Sequence, residues 1–509
     1  MSESTIDIRQ KSVKGVGWNG ISQITRQGFQ FVVTAILARL LLPSEFGLVG
    51  MAGIVTGLVF SVRELGLSAA IVQRKDLDDL HLSSSFWVNV GAGLVFFGVC
   101  SAIAPFAARF FKREIVAPIL IISSTGFVIS SLGIVHRAAL LRRLDFKAVA
   151  VAEIGTFVGY GVASVLMAAL GFGVWSLVYG SLFGSLVGVV LWWAGFRWRP
   201  AFKFSRQKFF ELFRFGWSVM GSGLVGYFNQ NVDYLVIGRR LGASPLGIYT
   251  LAFKLISFPL TRISSMITGV TFPAFSRMQN DDRRLRRAYT KMVRYISLLT
   301  FPVLAGLMVL APQLVRVVYG PKWVGAVIPL RIMCVLGMLK AVGTTVGSIL
   351  MAKGRPDILL KFQVLLFIGI TAAVIVGSFY GIVGVALAVT LMTVVAFPII
   401  QAITNRQIGL SFKEYLTSLW PAVFASALMA CSVLFCKSII IQLVPGKSLL
   451  VLLFSIGLGV LFYWGTLKLM GIEEMEQLPL LLSEMPLLSR VLRKGAGSEP
   501  PSGFRGDSR

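Results

Sequence analysis

The sequence predicts an all-α polytopic membrane protein of about 14 transmembrane helices, built as two six-helix lobes related by an internal repeat plus two C-terminal helices. Three observations carry this prediction. Hydrophobic residues are 56% and charged residues only 14% of the 509, where a soluble globular chain carries roughly 25% charged residues. Apolar stretches of the ~20 residues needed to cross a bilayer core recur along the whole chain. The second half also reads as a copy of the first. ARLLLPSEFG at 38–47 aligns with GRRLGASPLG at 238–247, placing Arg39 over Arg239, Leu41 over Leu241, Ser44 over Ser244 and Gly47 over Gly247. With one gap, Gly17-Trp18 aligns with Gly216-Trp217.

In chain order, helices are expected near 18–41, 47–70, 84–106, 115–136, 148–170 and 173–195, forming an N-terminal lobe over 1–196. The first is the most polar, since it carries Asn19, Gln23, Arg26, Gln27 and Gln30. A basic stretch at 197–216, with Phe202, Phe204, Phe209, Phe210 and Phe213 among its cations, reads either as an amphipathic segment in the cytoplasmic headgroup layer or as a plain linker. Helices near 213–237, 247–271, 292–318, 325–350, 359–378 and 381–403 form the second lobe, 217–405. Two extra helices, near 417–437 and 447–469, occupy 406–470, and 471–509 is a cytoplasmic tail. The tail's last stretch has the composition of a disordered segment.

The formal net charge of +27 raises the question of nucleic acid, but the placement of the cations answers it. Alternate connections, starting with the N-terminal arm, hold 33 Lys and Arg residues, and the opposite connections hold 10. That is the positive-inside pattern, with both termini cytoplasmic and therefore an even number of helices. The start, MSESTIDIRQKSVKG, lacks the apolar core of a cleavable signal peptide, so the first helix is expected to remain. Cys100, Cys334, Cys431 and Cys436 all fall in expected helices and read as small packing residues. His81 and His136 are the only histidines, so neither a metal centre nor a cofactor site is indicated.

Polar residues at membrane depth are costly and usually face the bundle interior or water. In the first helix Asn19, Gln23, Arg26, Gln27 and Gln30 recur at spacings of three and four, along one face. The seventh helix repeats the pattern with Ser218, Ser222, Asn229, Gln230 and Asp233, and the eighth with Lys254, Ser257, Thr261, Arg262 and Ser265. The deep cations are Arg26, Arg63, Lys254, Arg262, Arg331 and Lys340; the deep anions are Glu64, Glu153 and Asp233. This excess of positive charge has no evident protein partner in the sequence. An unpaired Arg in hydrocarbon costs roughly 2.5–3.5 kcal/mol on insertion scales. A water-filled cavity or an anionic ligand offsets that cost, and a guanidinium fork matches phosphate. The sequence therefore points to Arg26, Arg262, Arg63, Lys254 and Lys340 as anion-binding candidates. Asn19, Gln23, Gln27, Gln30, Asn229 and Gln230 are candidate polar lining. Asp233 and Glu153 are either counter-ions or ion-coupling groups.

LARLLLPSEFGLVGMA from Leu37, ELGLSAAIVQR at 64–74, FPAFSRMQND at 272–281, YGPKW at 319–323 and MAKGRPDILLK at 351–361 resemble the polysaccharide-transporter branch (Wzx-like oligosaccharide flippases) of the multidrug/oligosaccharidyl-lipid/polysaccharide flippase superfamily. The resemblance runs from about residue 11 to 405. It implies two six-helix lobes around a V-shaped cavity, alternating access, and a polyprenyl-pyrophosphate-linked oligosaccharide as cargo. It also implies a place in the bacterial inner membrane beside a polysaccharide polymerase and export machinery. In related flippases cations in helices one, two and eight meet the pyrophosphate; here Arg26, Arg63 and Arg262 lie in comparable helices. Same-fold alternatives are a multidrug or organic-cation antiporter, which the cationic interior disfavours, and a peptidoglycan-precursor flippase. From another class, a membrane-embedded glycosyltransferase or polymerase needs catalytic carboxylates on an accessible platform. The acidic group Asp76, Asp78, Asp79 reads instead as the top of a helix. A membrane scaffold leaves the repeated polar stripes unexplained.

Overall fold

A computed structural model describes residues 25–63, 71, 78–203, 205, 226–443 and 448–472, with side chains at 62–63, 261–274, 441 and 443 outside the description. Among these residues there are fourteen long helices and no strand. They are α1 (25–40), α2 (Pro43–Arg63), α3 (Asp79–Phe111), α4 (Val116–Arg142), α5 (Phe146–Ala169), α6 (Val174–Gly195), α7 (226–240), α8 (Ala243–Arg277), α9 (Asp282–Leu314), α10 (Val327–Ala352), α11 (Pro356–Gly377), α12 (Gly381–Gln407), α13 (Phe412–Leu443) and α14 (Ser448–Leu469). Eleven stretches are long and apolar enough to cross a membrane, one of them holding both α11 and α12.

The helices stop and start where local chemistry requires. Asp78 caps α3 by accepting from the His81 backbone N–H at 2.9 Å, and the His81 ring reaches back toward the Asp78 N–H. Asp145 and Asp281 cap α5 and α9 in the same way, through Ala148 N–H and Arg284 N–H. Asp78 is thus a helix cap, and Asp76 lies outside the described residues.

The most basic segment differs from its expectation as a loop. α8 runs on to Arg277 and α9 begins at Asp282, so 276–294 is a helical hairpin. Its apolar residues explain this: Leu285, Tyr289 and Val293 recur every fourth position and are fully buried, which leaves the arginines to the other face. The cysteines also divide. Cys100 and Cys334 are buried as expected, whereas Cys431 is exposed on α13, on an apolar surface suited to lipid rather than to packing.

Close helix packing relies on small residues. Gly180, Gly184 and Gly188 lie one turn apart on α6, and a methyl at any of them would overlap Ser164 or Thr156 on α5. Helices α1–α6 pack on one another, with α5 against α6 and α3 against α4; in the second half α8, α9 and α12 surround α10. α13 and α14 dock on α9.

The halves meet through α2 and α8 in a self-complementary contact. Gly47 leaves room for the Ala243 carbonyl, and Gly247 leaves room for the Pro43 carbonyl. Those pairs are the positions that the internal repeat aligns, so each hairpin makes on the other the contact it receives. Beside them the two helix ends cap each other. Arg39 of α1 donates to the carbonyls of Val317 and Val318 (3.1 Å to the latter), and Trp323 Nε1 donates to the Ala38 carbonyl at 2.7 Å. Lys322 Nζ donates to the Arg39 carbonyl at 3.3 Å. Terminal helix carbonyls have no partner within the helix, so these side chains satisfy them. This end of the molecule is the one with few cations in its loops.

Candidate functional site

Two polar clusters lie between the helices, one in each half, the first partly accessible and the second centred on the buried Asp233. In the first, Glu153 of α5 lies between two guanidiniums. Arg26 of α1 approaches Oε2 through Nη1 at 3.4 Å, and Arg137 of α4 approaches Oε1 through Nη2 at 3.2 Å. Arg26 also lies over the Phe157 ring, 5.2 Å from its centroid. The side chains are partly accessible, at 22% for Arg26, 19% for Glu153 and 41% for Arg137. Glu153 is about two turns past the start of α5 at Phe146, roughly 10 Å along the axis. Among the described residues the cluster sets one carboxylate against two guanidiniums, a net positive balance.

The second cluster surrounds Asp233 of α7. Tyr249 of α8 donates its hydroxyl to Oδ2 at 2.7 Å, and the Tyr234 backbone N–H donates to Oδ1 at 2.9 Å. Tyr234 meets Tyr249 and Phe253 edge-on at 5.6 and 5.8 Å. Lys340 of α10 interacts electrostatically with Asp233 and holds its ammonium 5.2 Å from the centre of the Phe253 ring. Asp233 and Tyr249 are buried. In a low-dielectric interior a bare carboxylate is costly, and these donors with the facing ammonium compensate it.

Several deep cations therefore have partners that the sequence did not reveal. Arg26 is paired with Glu153, whereas Lys340 acts on Asp233 electrostatically, without a salt bridge between them. Arg331 donates through Nε to the Met308 carbonyl at 3.2 Å. Pro312, four residues on, has no N–H for that carbonyl, so Arg331 fills a gap in α9. Lys254 is exposed on α8. Arg63 ends α2 and Arg262 lies in α8, each with its side chain outside the described residues. Asn19, Gln23 and Glu64 are outside them altogether. Of the expected lining, Gln27 is buried, with no hydrogen-bond partner for Nε2 among the described residues. Gln30 and Gln230 are exposed, and Asn229 donates to the Gln363 carbonyl at 3.3 Å.

Two residues of these clusters escaped the sequence reading. Arg137 stood among the loop cations, although the apolar run that precedes it continues the helix through Arg142. Tyr249 lies four residues before Phe253 on α8, and that spacing was the available signal. Among the described residues no group of metal-ligand type occurs.

Comparison with solved structures places this architecture. The lipid II flippase MurJ in an inward closed conformation superposes with a TM-score of 0.72 at 14% identity, covering 90% of this chain and 99% of that one. An inward-facing multidrug resistance MATE family transporter of the MOP superfamily gives 0.61 at 17% identity, covering 75% and 94%. The fold is thus that of the MOP transporters, and the protein is a multi-pass membrane protein. Residues 36–328 match the family model described as polysaccharide biosynthesis protein, and the chain belongs to that family. WzxC of Escherichia coli K12, a lipopolysaccharide biosynthesis protein, is 30% identical over 83% of this chain and 86% of its own length. TuaB of Bacillus subtilis 168, a teichuronic acid biosynthesis protein, is 30% identical over 83% and 88%. ExoT of Rhizobium meliloti 1021, a succinoglycan biosynthesis transport protein, is 31% identical over 74% and 76%. The chain is accordingly a transport protein of polysaccharide biosynthesis and not an enzyme.

Proposed function

We propose that the protein is a flippase that moves a polyprenyl-pyrophosphate-linked oligosaccharide across the bacterial inner membrane. It would do so by alternating access between the two lobes, with both termini in the cytoplasm. Such a cargo joins a sugar chain and a pyrophosphate that cannot enter hydrocarbon unaided to a lipid tail that can remain in it. The observation that carries the reading is the half-buried Arg26, paired only loosely with Glu153 and sharing it with Arg137. A net positive cluster at membrane depth is matched to a phosphate-bearing cargo, and guanidinium presents parallel donors to phosphate oxygens. The named relatives act in the biosynthesis of lipopolysaccharide, teichuronic acid and succinoglycan, polymers of the right chemical kind. The 33-to-10 bias of loop cations supports the orientation. A polymerase and export machinery are the expected neighbours, and Asp233 and Glu153 are the carboxylates available for ion coupling. An organic-cation cargo fits less well, because both of these carboxylates already face cations.

Complementation of surface polysaccharide in a strain lacking the gene tests this, with membrane levels checked. A hydrogen bond to a charged group contributes about 1.5–3 kcal/mol. Arg26→Ala or Arg262→Ala should therefore weaken cargo binding by roughly 10- to 150-fold at ~1.4 kcal/mol per decade. Lys at either position keeps the charge without the fork and should rescue only partly. Export at wild-type rates by both alanine variants, alone and together, rules the cationic-site mechanism out.

A further inference from the structure

Glu153 stands where a cargo phosphate would have to stand in order to reach Arg26 and Arg137 together. Each carboxylate oxygen serves one guanidinium, at 3.4 and 3.2 Å. Charge-assisted N–H···O bonds are typically about 2.7–2.9 Å, so both contacts are loose. Arg26 does not depend on Glu153 alone for its position. Arg26 is supported from beneath by the face of Phe157, and Arg137 extends from the end of α4 with much of its side chain accessible. Three different helices supply the three groups, and all three side chains are partly open to solvent. An anion with access to this point would find a bifurcated guanidinium site held by a weak internal ligand.

We propose that Glu153 is a displaceable internal stand-in for the cargo's pyrophosphate, and that Arg137 is the second guanidinium of that binding site. The inference rests on the flippase reading above and adds to it a regulation of affinity. With no cargo bound, the carboxylate neutralises one of the two fixed positive charges and occupies their donors. A pyrophosphate carries more charge and more oxygens, so it can take both guanidiniums while the Glu153 side chain swings aside. The same carboxylate then competes for the arginines when the cargo must leave. A flippase needs this property, since a site that only binds tightly does not release. No proton or bond need change in the exchange: one anion replaces another.

The test uses the full chain purified into lipid nanodiscs, with radiolabelled farnesyl pyrophosphate as the probe in equilibrium binding. Glu153→Gln keeps the shape and still accepts from N–H donors, but removes the competing charge. It should bind the probe about tenfold or more tightly, while polysaccharide export in the complementation assay falls because release is slowed. Arg137→Gln should bind it about tenfold more weakly. A purely structural ion pair predicts no gain for Glu153→Gln, namely unchanged or weaker binding together with a lowered melting temperature. Should Glu153→Gln fail to accumulate, Glu153→Ala reads the same sign. If Arg26→Ala weakens binding but neither Glu153 variant strengthens it, the stand-in idea falls and the flippase reading survives. If the wild-type protein does not bind the probe and Arg26→Ala exports normally, both fall.

Discussion

At the scale of single residues, the buried charges are held in compensated groups rather than left bare. Asp233 receives the Tyr249 hydroxyl and a backbone N–H while Lys340 faces it. Removing a cation that acts on a buried carboxylate makes the charged carboxylate more costly to keep, whereas neutralising both groups removes that cost. Lys340→Met should therefore lower the melting temperature of the detergent-solubilised protein, and Asp233→Asn combined with Lys340→Met should recover most of the loss. Equal losses in the single and double variants would show that the two residues do not act as a pair. Which residues carry polarity at depth was legible in the sequence, because a charge within an apolar run is conspicuous. Which cation meets which anion was not, because the members of each pair come from helices far apart in the chain: Arg26 and Glu153 are 127 residues apart. Arg137 was missed for a related reason, since loop and helix end look alike wherever a basic residue follows an apolar run.

At the scale of elements, α9 shows why the last two helices are present. It contains Pro302 and Pro312, and each deprives the carbonyl four residues earlier of its donor. Those carbonyls belong to Leu298 and Met308. The Tyr463 hydroxyl of α14 donates to the Leu298 carbonyl at 2.7 Å, and Arg331 of α10 donates to that of Met308. Lys437 of α13 adds a bond to the Val309 carbonyl at 3.2 Å. α13 and α14 thus donate to carbonyls beside the two prolines of a helix that belongs to the second lobe. Tyr463→Phe leaves the Leu298 carbonyl unpaired in the interior, at a cost of about 1–3 kcal/mol. Pro302→Ala restores the missing N–H, so Tyr463→Phe should cost less in that background, and melting of the four proteins in a double-mutant cycle reads the coupling. Strict additivity would mean that Tyr463 is not standing in for the helix bond. Helix number and order were readable from apolar periodicity. Helix ends were less so, as the 276–294 hairpin illustrates: its charge suggested a loop, while its every-fourth apolar spacing determined a helix.

At the scale of the whole molecule, the internal repeat becomes a physical joint. The aligned hairpins at 38–47 and 238–247 meet each other, Gly47 against Ala243 and Gly247 against Pro43, as in the isologous interface of a two-fold dimer. The ARLL and YGPKW motifs, separate in sequence, close the same joint by capping each other's helix ends. The repeat was visible from four identities in ten residues, but sequence alone could not say that its copies touch. All these contacts lie at the end whose loops carry few cations, which the charge bias assigns to the outside. If alternating access operates, this joint must part to let cargo out. A side chain at Gly47 would overlap the Ala243 carbonyl, and backbone cannot yield as a flexible side chain can. Gly47→Leu should therefore shift the population toward the state open on that side. Leu246 reports on it, being fully buried beside the joint. With the four native cysteines replaced, Leu246→Cys should resist a membrane-impermeant maleimide added outside intact cells, and become reactive when Gly47→Leu is added. Gly53→Leu on the same helix, where a Cβ has open space around it, is the control and should leave Leu246→Cys protected. Reactivity unchanged by Gly47→Leu would show that the joint does not gate the outer side. Labelling from the cytoplasmic side alone would instead reverse the orientation that the loop charges imply.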